Sequence, residues 1–339
     1  MMRPGKIPPD LLVKYVFSHL GKMDESVILG PHLGEDASLI EIGDYVIAAA
    51  TDPITGSISD VGWLAVHVNA NDIATFGIPP SWFLSSILLP ETIDETSIEQ
   101  IMNQMDSAAK SLGVSIAGGH TEVTTGIDRP IVAGFMLGIT KRGCYVTSSG
   151  ANPGDEILLT KYAGLEGTSI LATEGERYLR QAIDSSILKE AQKLKQQISV
   201  VEDGVQAYRT GHVTAMHDPT EGGVANGLHE MCDAGNLGCR INGNSIPVHE
   251  STFEICRFLD IDVLQLISSG SMLIACDAGK SKKVVDTLFS FGINTVKIGE
   301  FLEDSQTRVI NQHEQEKSLP RPNTDALWNA LRLVNQENP

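Results

Sequence analysis

The clearest periodicity in the chain lies between residues 92 and 113. There Ile98, Ile101, Met102, Met105, Ala108, Ala109 and Leu112 fall on one face of a 3.6-residue repeat. Thr92 with Glu95 predicts a capping box at the start of that helix, and Gly113 stands where a C-terminal cap is expected. Short apolar runs predict strands at 37–42, 45–51, 82–89, 114–117 and 131–140. Further helices are expected over 62–76, ending near Gly77-Ile78-Pro79-Pro80, and over 9–20, opened by Pro8-Pro9-Asp10 and closed by Gly21. From residue 37 the order is β-β-α-β-α-β-β, which predicts a mixed sheet covered by helices in an α+β fold.

The pattern restarts after the segment Gly143 to Gly154, whose Ser148-Ser149-Gly150-Ala151-Asn152-Pro153 reads as a domain junction. Strands at 156–160, 271–276 and 295–300, with helices at 164–173, 185–197, 223–234 and 280–291, predict a second, α/β unit. Beyond residue 310 the chain turns polar, from Asn311 to Lys317, and a short helix at 324–334 is expected to follow a linker. The expected organisation is an N-terminal domain at 1–148, a C-terminal domain at 149–310, and a polar linker with a terminal helix at 311–339.

Several segments interrupt this pattern with chemistry. His67-Val68-Asn69-Ala70-Asn71-Asp72 places two amides and a carboxylate inside an otherwise apolar helix. Buried polar groups cost stability unless paired, and a metal-phosphate is the partner expected for these. Asp36 follows Gly34-Glu35, Asp52 ends the strand 45–51 before Pro53, and Asp218 lies in His217-Asp218-Pro219-Thr220-Glu221-Gly222-Gly223. Pro53 is expected to stop further strand pairing. Brought together, these carboxylates would repel one another unless cations sat between them. Two Mg²⁺ ions bridging a triphosphate would relieve that repulsion. Taken singly, each Asp could instead cap a turn or a helix. Gly118-Gly119-His120-Thr121-Glu122 comes off a strand, where paired glycines admit a phosphate close to backbone N–H groups and His120 could serve as phosphate donor or general base. Gly222-Gly223 offers a second anion-binding helix start.

Composition narrows the classes. A formal charge of −18 argues against broad contact with nucleic acid or anionic lipid, which need basic surface. No apolar run approaches the roughly 20 residues that span a bilayer. Five cysteines without regular spacing, and no signal-peptide core at Met1-Met2-Arg3-Pro4-Gly5-Lys6, suggest a cytoplasmic protein with reduced thiols. Cys232 and Cys239 with His229 read as buried small side chains rather than metal ligands. The G-x-x-x-x-G-K-[ST] phosphate loop, the H-E-x-x-H zinc helix and the G-x-S-x-G elbow are all missing, so bound phosphates would be held by another route.

Together Gly34-Glu35-Asp36-Ala37, Thr51-Asp52, Asn69-Ala70-Asn71-Asp72-Ile73-Ala74, Gly118-Gly119-His120-Thr121-Glu122 and His217 to Gly223 resemble the AIR synthase (PurM-like) superfamily of ATP-dependent enzymes, over residues 30 to 300. Within it the chain looks closest to the hydrogenase maturation factor family HypE, through Asp218-Pro219-Thr220, Gly222-Gly223 and the segment 161–171 with Gly164 and Gly167. The resemblance implies a PurM-like two-domain fold, an N-terminal domain that forms a homodimer through its sheet, and Mg-ATP in a cleft. It assigns Mg²⁺ to Asp36, Asp52, Asp72 and Asp218. Asn69, Asn71, Gly118, Gly119, Thr121, Glu122, Gly222 and Gly223 would lie near the nucleotide, with Asp72 and His120 in catalytic roles.

HypE proteins use ATP to dehydrate a carbamoyl group carried on a C-terminal cysteine, whereas this chain has no cysteine after Cys276. The expectation is therefore a HypE-like, ATP- and Mg²⁺-dependent enzyme that phosphorylates a carbonyl or carboxamide oxygen of a small molecule or carrier, with a protein partner supplying a thiol. The alternatives are a cyclase resembling aminoimidazole ribonucleotide synthase, which the His120 loop favours, and a non-catalytic nucleotide-binding maturation partner. Selenophosphate synthetase fits less well because no cysteine precedes Gly34. Thiamine-monophosphate kinase usually has Asp where His120 stands.

Overall fold

The computed structural model describes residues 7–55 and 59–336, with the backbone alone for 335 and 336. The outer ends of the expected segments, 1–6 and 337–339, lie outside the described residues. In the N-terminal unit, β1 (Val27–Leu29), β2 (Ser38–Ile42), β3 (Tyr45–Ile54), β4 (Pro80–Leu89), β5 (Ser115–Val123) and β6 (Ile131–Lys141) form one sheet in the order β1-β2-β3-β6-β4-β5. Every pairing is antiparallel except β4 with β5, which the crossover helix α3 (Glu95–Leu112) makes parallel. Asp94, not Thr92, caps α3, accepting from the Ser97 N–H at 2.7 Å; Gly113 closes it at φ 68°. Met102 is exposed, so the buried face of α3 is narrower than its periodicity predicts.

Helix α2 (Val61–Ala74) lies under this sheet with every residue but Trp63 buried. It explains the amide-rich segment. Asn69 Nδ2 donates to Ala65 O at 2.8 Å and Asp52 O at 3.1 Å, while its Oδ1 accepts the Asp52 N–H at 2.8 Å. Two residues on, about 200° further round the helix, Asn71 donates to Ile198 O at 2.9 Å and accepts the Val200 N–H at 2.8 Å. The groups that satisfy both amides are backbone, not a metal-phosphate. Pro53 does not end β3: it pairs with Ala133 of β6, in the stretch where β3 has outrun β2 and is paired on one side only.

The expected helix over 9–20 is shorter. A single turn α1 (Pro9–Leu11) runs into a π-helical turn at Leu12–Val16, and none of these residues is buried, so no packing sustains a longer helix. The C-terminal unit contains β7 (Glu156–Thr160), α4 (Leu165–Glu174), α5 (Glu176–Leu179), α6 (Ser185–Lys193), α7 (Val201–Arg209), β8 (Val213–His217), α8 (Gly223–Gly235), β9 (Gly238–Asn242), α9 (Glu250–Leu259), β10 (Leu273–Cys276), α10 (Ser281–Ser290), β11 (Thr295–Leu302), β12 (Arg308–Gln312), β13 (Gln315–Ser318) and α11 (Ala326–Gln336). Its sheet runs β13-β12-β9-β11-β7-β10-β8. The polar run 311–317, read from the sequence as part of a linker, forms the edge hairpin β12–β13, where charged side chains suit an exposed strand.

Helices α7 and α9 escaped the sequence reading. Gly204 sits mid-helix in α7, where a Cβ would strike the carbonyl oxygen of Ala74 at the end of α2. Glycine weakens the helical signal but lets the two helices touch. The resulting hydrophobic cluster runs through both units, from Leu39 and Ile73 to Ile198, Val205 and Met272. Among the described residues no helix is long and apolar enough to cross a membrane. Replacing Asn71 with Ala should cost about 3 kcal/mol of unfolding free energy in urea, because the Ile198 carbonyl and the Val200 N–H lose their partner. A loss below about 1 kcal/mol would show that this amide does not bind the units together.

Candidate active site

Between the units lies a cavity of about 710 Å³. Its walls are the Gly34-Glu35-Asp36 loop, the end of β3 at Thr51-Asp52, His217 at the end of β8, Glu221-Gly222 with the first turns of α8, and the segment 321–325. Gly34, at φ 82°, lets the loop press on α8: a Cβ there would lie 2.6 Å from Glu230 O. Behind it the Glu35 carboxylate accepts the N–H groups of Ser148 and Ser149 at 3.0 and 3.1 Å, which fixes the loop to the domain junction.

Asp36 and Glu230 clamp His217. The ring is buried, with Nδ1 2.8 Å from Asp36 and Nε2 3.0 Å from Glu230. Burial by itself would depress the imidazole pKa, but the two carboxylates override it and raise it well above the usual value. His217 is thus an imidazolium donating through both nitrogens. Asp52 reaches the same cavity, held at its backbone by Asn69, and Gly134 on the neighbouring strand has no room for a side chain against that amide.

Glu230, Asp233 and Asp325 line the cavity without having been expected there, and Glu166, outside the lining, was equally unexpected. Glu166 of α4 is buried and pushed up to about 7, first by burial, with Asp325, Glu221 and Asp52 adding repulsion. Asp325 is pushed up to about 6 by burial, although its carboxylate accepts the Gly222 N–H at 2.5 Å and the Leu327 N–H at 2.7 Å. The Gly222-Gly223 helix start therefore already holds an anion, the Asp325 side chain. The available signal for Glu166 was a carboxylate between Gly164 and Gly167 in an apolar stretch; Asp325 gave none, because its neighbours are distant in sequence.

Of the residues expected at the site, Asp36, Asp52 and Gly222 line the cavity. Asp72 and Asp218 are buried and are not among the lining residues, Asn69 and Asn71 serve the backbone, and the Gly223 N–H donates to Thr220 O. The four aspartates do not form a cage: among the described residues no three His, Cys, Asp or Glu side chains are arranged to hold a metal ion. The Gly118 to Glu122 segment lies elsewhere, and it is strand rather than turn. It belongs to β5, an edge strand three strand spacings from β3, about 14 Å. His120 pairs in register with Ser86 and lies 3.1 Å from Glu122, both side chains exposed. Cys232 and Cys239 are buried, and His229 faces Leu319 O and Arg308, which matches their reading as packing residues.

The N-terminal domain of the AIR synthase related proteins matches residues 34–140, and the C-terminal domain of the same proteins matches residues 152–311. The chain belongs to the AIR synthase-related family, and its α+β architecture is the PurM-like fold. It is similar to a hydrogenase expression/formation protein of Methanocaldococcus jannaschii, 28% identical over 289 residues that cover 84% of each chain. It is also similar to the carbamoyl dehydratase HypE of Azotobacter vinelandii, 27% identical over 262 residues, 75% of this chain and 74% of that one. Among solved structures it resembles one from a HypE–HypF complex, with a TM-score of 0.73, 25% identity and coverage of 92% and 99%. HypE in complex with ATP shares the fold, at a TM-score of 0.68 and 22% identity, covering 96% of this chain and 97% of that one.

The raised Glu166 pKa fixes a sign. A carboxyl whose folded pKa lies above its unfolded value stabilises the fold less as pH rises, from about 4.5 through about 7. Glu166→Gln removes that dependence. The variant should be more stable than the parent by about 3 kcal/mol at pH 8 and equal to it near pH 4. An equal difference at both pH values would show that ionisation of Glu166 is not the cause.

Proposed function

We propose that this protein is an ATP- and Mg²⁺-dependent, HypE-like enzyme that activates a carbonyl or carboxamide oxygen by phosphorylation. One observation carries the reading: the family's acidic segments, Gly34 to Asp36 from one unit and His217 to Gly222 from the other, meet Asp52 around a single cavity. The names of its relatives, a carbamoyl dehydratase and a HypE with bound ATP, support the same class of chemistry. The HypE–HypF structure supports a protein partner, which we assign as the carrier of the acceptor or of its thiol.

The donor set suits Mg²⁺. This ion keeps several waters and commonly takes only one or two carboxylates beside phosphate oxygens, so a ready-made cage is not required. Asp36 and Asp52, which line the cavity, and the buried Asp72 and Asp218 are the carboxylates proposed to hold it. When bound, it would neutralise phosphate charge and orient the terminal phosphoryl group. The chain's own contribution is positioning: Asn69 fixes the backbone of Asp52, and His217 fixes Asp36. A phosphorylated oxygen is a good leaving group, so loss of phosphate or attack by nitrogen can follow.

A second copy is part of this proposal. The face of the N-terminal sheet turned away from α2 leaves Trp82, Phe135 and Ile139 exposed, and the edge strand β5 is exposed throughout. His120 and Glu122 lie on that face through their register with Ser86 and Leu88, so pairing of two sheets would place them at the interface. We assign His120 to a site completed by the second subunit. Phe135→Glu should shift the protein from dimer to monomer in light scattering; an unchanged mass would remove this face as the interface.

The main test is ADP release from MgATP by the purified protein beside Asp52→Asn and Asp72→Asn. Both variants should fold and should lose at least a hundredfold in turnover. Parental rates in either would sink the role given to that residue, and parental rates in both would sink the site.

A further inference from the structure

The cavity carries seven carboxylates and, among the described residues that line it, one Lys or Arg side chain, Arg321. Its guanidinium lies 2.5 Å from Asp233 Oδ2, and Arg308 lies 2.7 Å from Asp233 Oδ1. Two guanidiniums on one carboxylate leave a surplus positive charge in the lining of an acidic cavity. The two arginines are not equivalent. Arg308 is largely buried, at 16% side-chain exposure, and also donates to Ser305 O, whereas Arg321 is 46% exposed. When Arg321 swings off, Asp233 keeps Arg308, so the motion strands no buried carboxylate. Its backbone is nonetheless placed: a Cβ on Gly222 would lie 3.0 Å from Pro322 Cγ, so the segment rests on the start of α8.

We propose that Arg321 binds a phosphate group in this cavity, leaving Asp233 to do so. A polyphosphate entering among carboxylates needs cations, and one divalent ion does not neutralise a triphosphate. A guanidinium supplies a planar pair of donors matched to two phosphate oxygens, and Arg308 stays on Asp233 once that fork has turned away. The inference rests on the ATP-using reading above and adds a specificity-determining residue to it. The phosphate is either the nucleotide's own or one borne by a second ligand; the chemistry is the same, and experiment separates the two.

Titration calorimetry on the full chain would use MgATP, adenosine and inorganic phosphate as probes, with Arg321→Gln and Arg321→Lys beside the parent. Arg321→Gln should weaken a phosphate-bearing probe at least tenfold, leave adenosine unchanged and keep the parental melting temperature. Arg321→Lys should recover part of the loss, because it keeps the charge and loses the fork. Loss confined to inorganic phosphate assigns the second ligand, and loss on MgATP assigns the nucleotide. Parental affinity of Arg321→Gln for both overturns the inference while leaving the ATP reading intact. A parent that binds neither overturns both.

Discussion

The side chains of Asn69 and Asn71 make α2 the part on which the rest of this structure depends. Asn69 closes on both backbone groups of Asp52 and so fixes the end of β3. Asn71 closes on the turn 198–200 and so fixes the C-terminal unit. Both amides are buried, where an unmade hydrogen bond costs far more than it does in water. Because two residues of one rigid helix hold Asp52 on one side and the turn 198–200 on the other, the two units are fixed relative to each other. Trp63 Nε1 donating to Lys195 O and the Asp60–Lys195 ion pair extend the same seam along the helix.

Around that seam the protein concentrates negative charge and disposes of it unevenly. Glu35 is met by two N–H groups, Asp36 and Glu230 share one imidazolium, and Asp233 is held by two guanidiniums. Glu166 and Asp325 have weaker compensation, and their protons are correspondingly hard to remove. Such a concentration of acidic groups costs stability. Its cost is borne by the apolar packing that runs unbroken between the units.

The N-terminal sheet shows a second asymmetry. One face is covered by α2 and α3, and the other presents Trp82, Phe135 and Ile139 to solvent together with the whole of β5. The residues read as a phosphate loop, Gly118 to Glu122, lie on this open edge and not beside Asp52. Gly119 fits the sheet for a local reason: a Cβ there would strike Ser85 O of β4. Gly119 is therefore accounted for by strand packing within one chain, whereas a Cβ on Gly118 would meet only Leu84 at 3.9 Å.

Local pattern determined a good deal here. The period of α3, its Gly113 cap, the acidic motifs and the strands of the first unit other than β1 and the second half of β5 followed from residue order, because each depends on neighbours within a turn or a strand. Asp36, Asp52 and Gly222 could be named as one site since their motifs recur together in a known family. Tertiary structure decided what those residues touch. Asn69 and Asn71 read as ligands because a buried amide needs a partner, and only the fold shows that the partners are the backbones of residues 52, 198 and 200. Asp325 and Arg321 reach the cavity from a stretch with no local signal, since Gly222 and Asp233, which they meet, lie about a hundred residues away in sequence. The linker that became β12–β13 carries the same lesson: polar composition marks an exposed edge as readily as a loop, and the sheet beside it settles which.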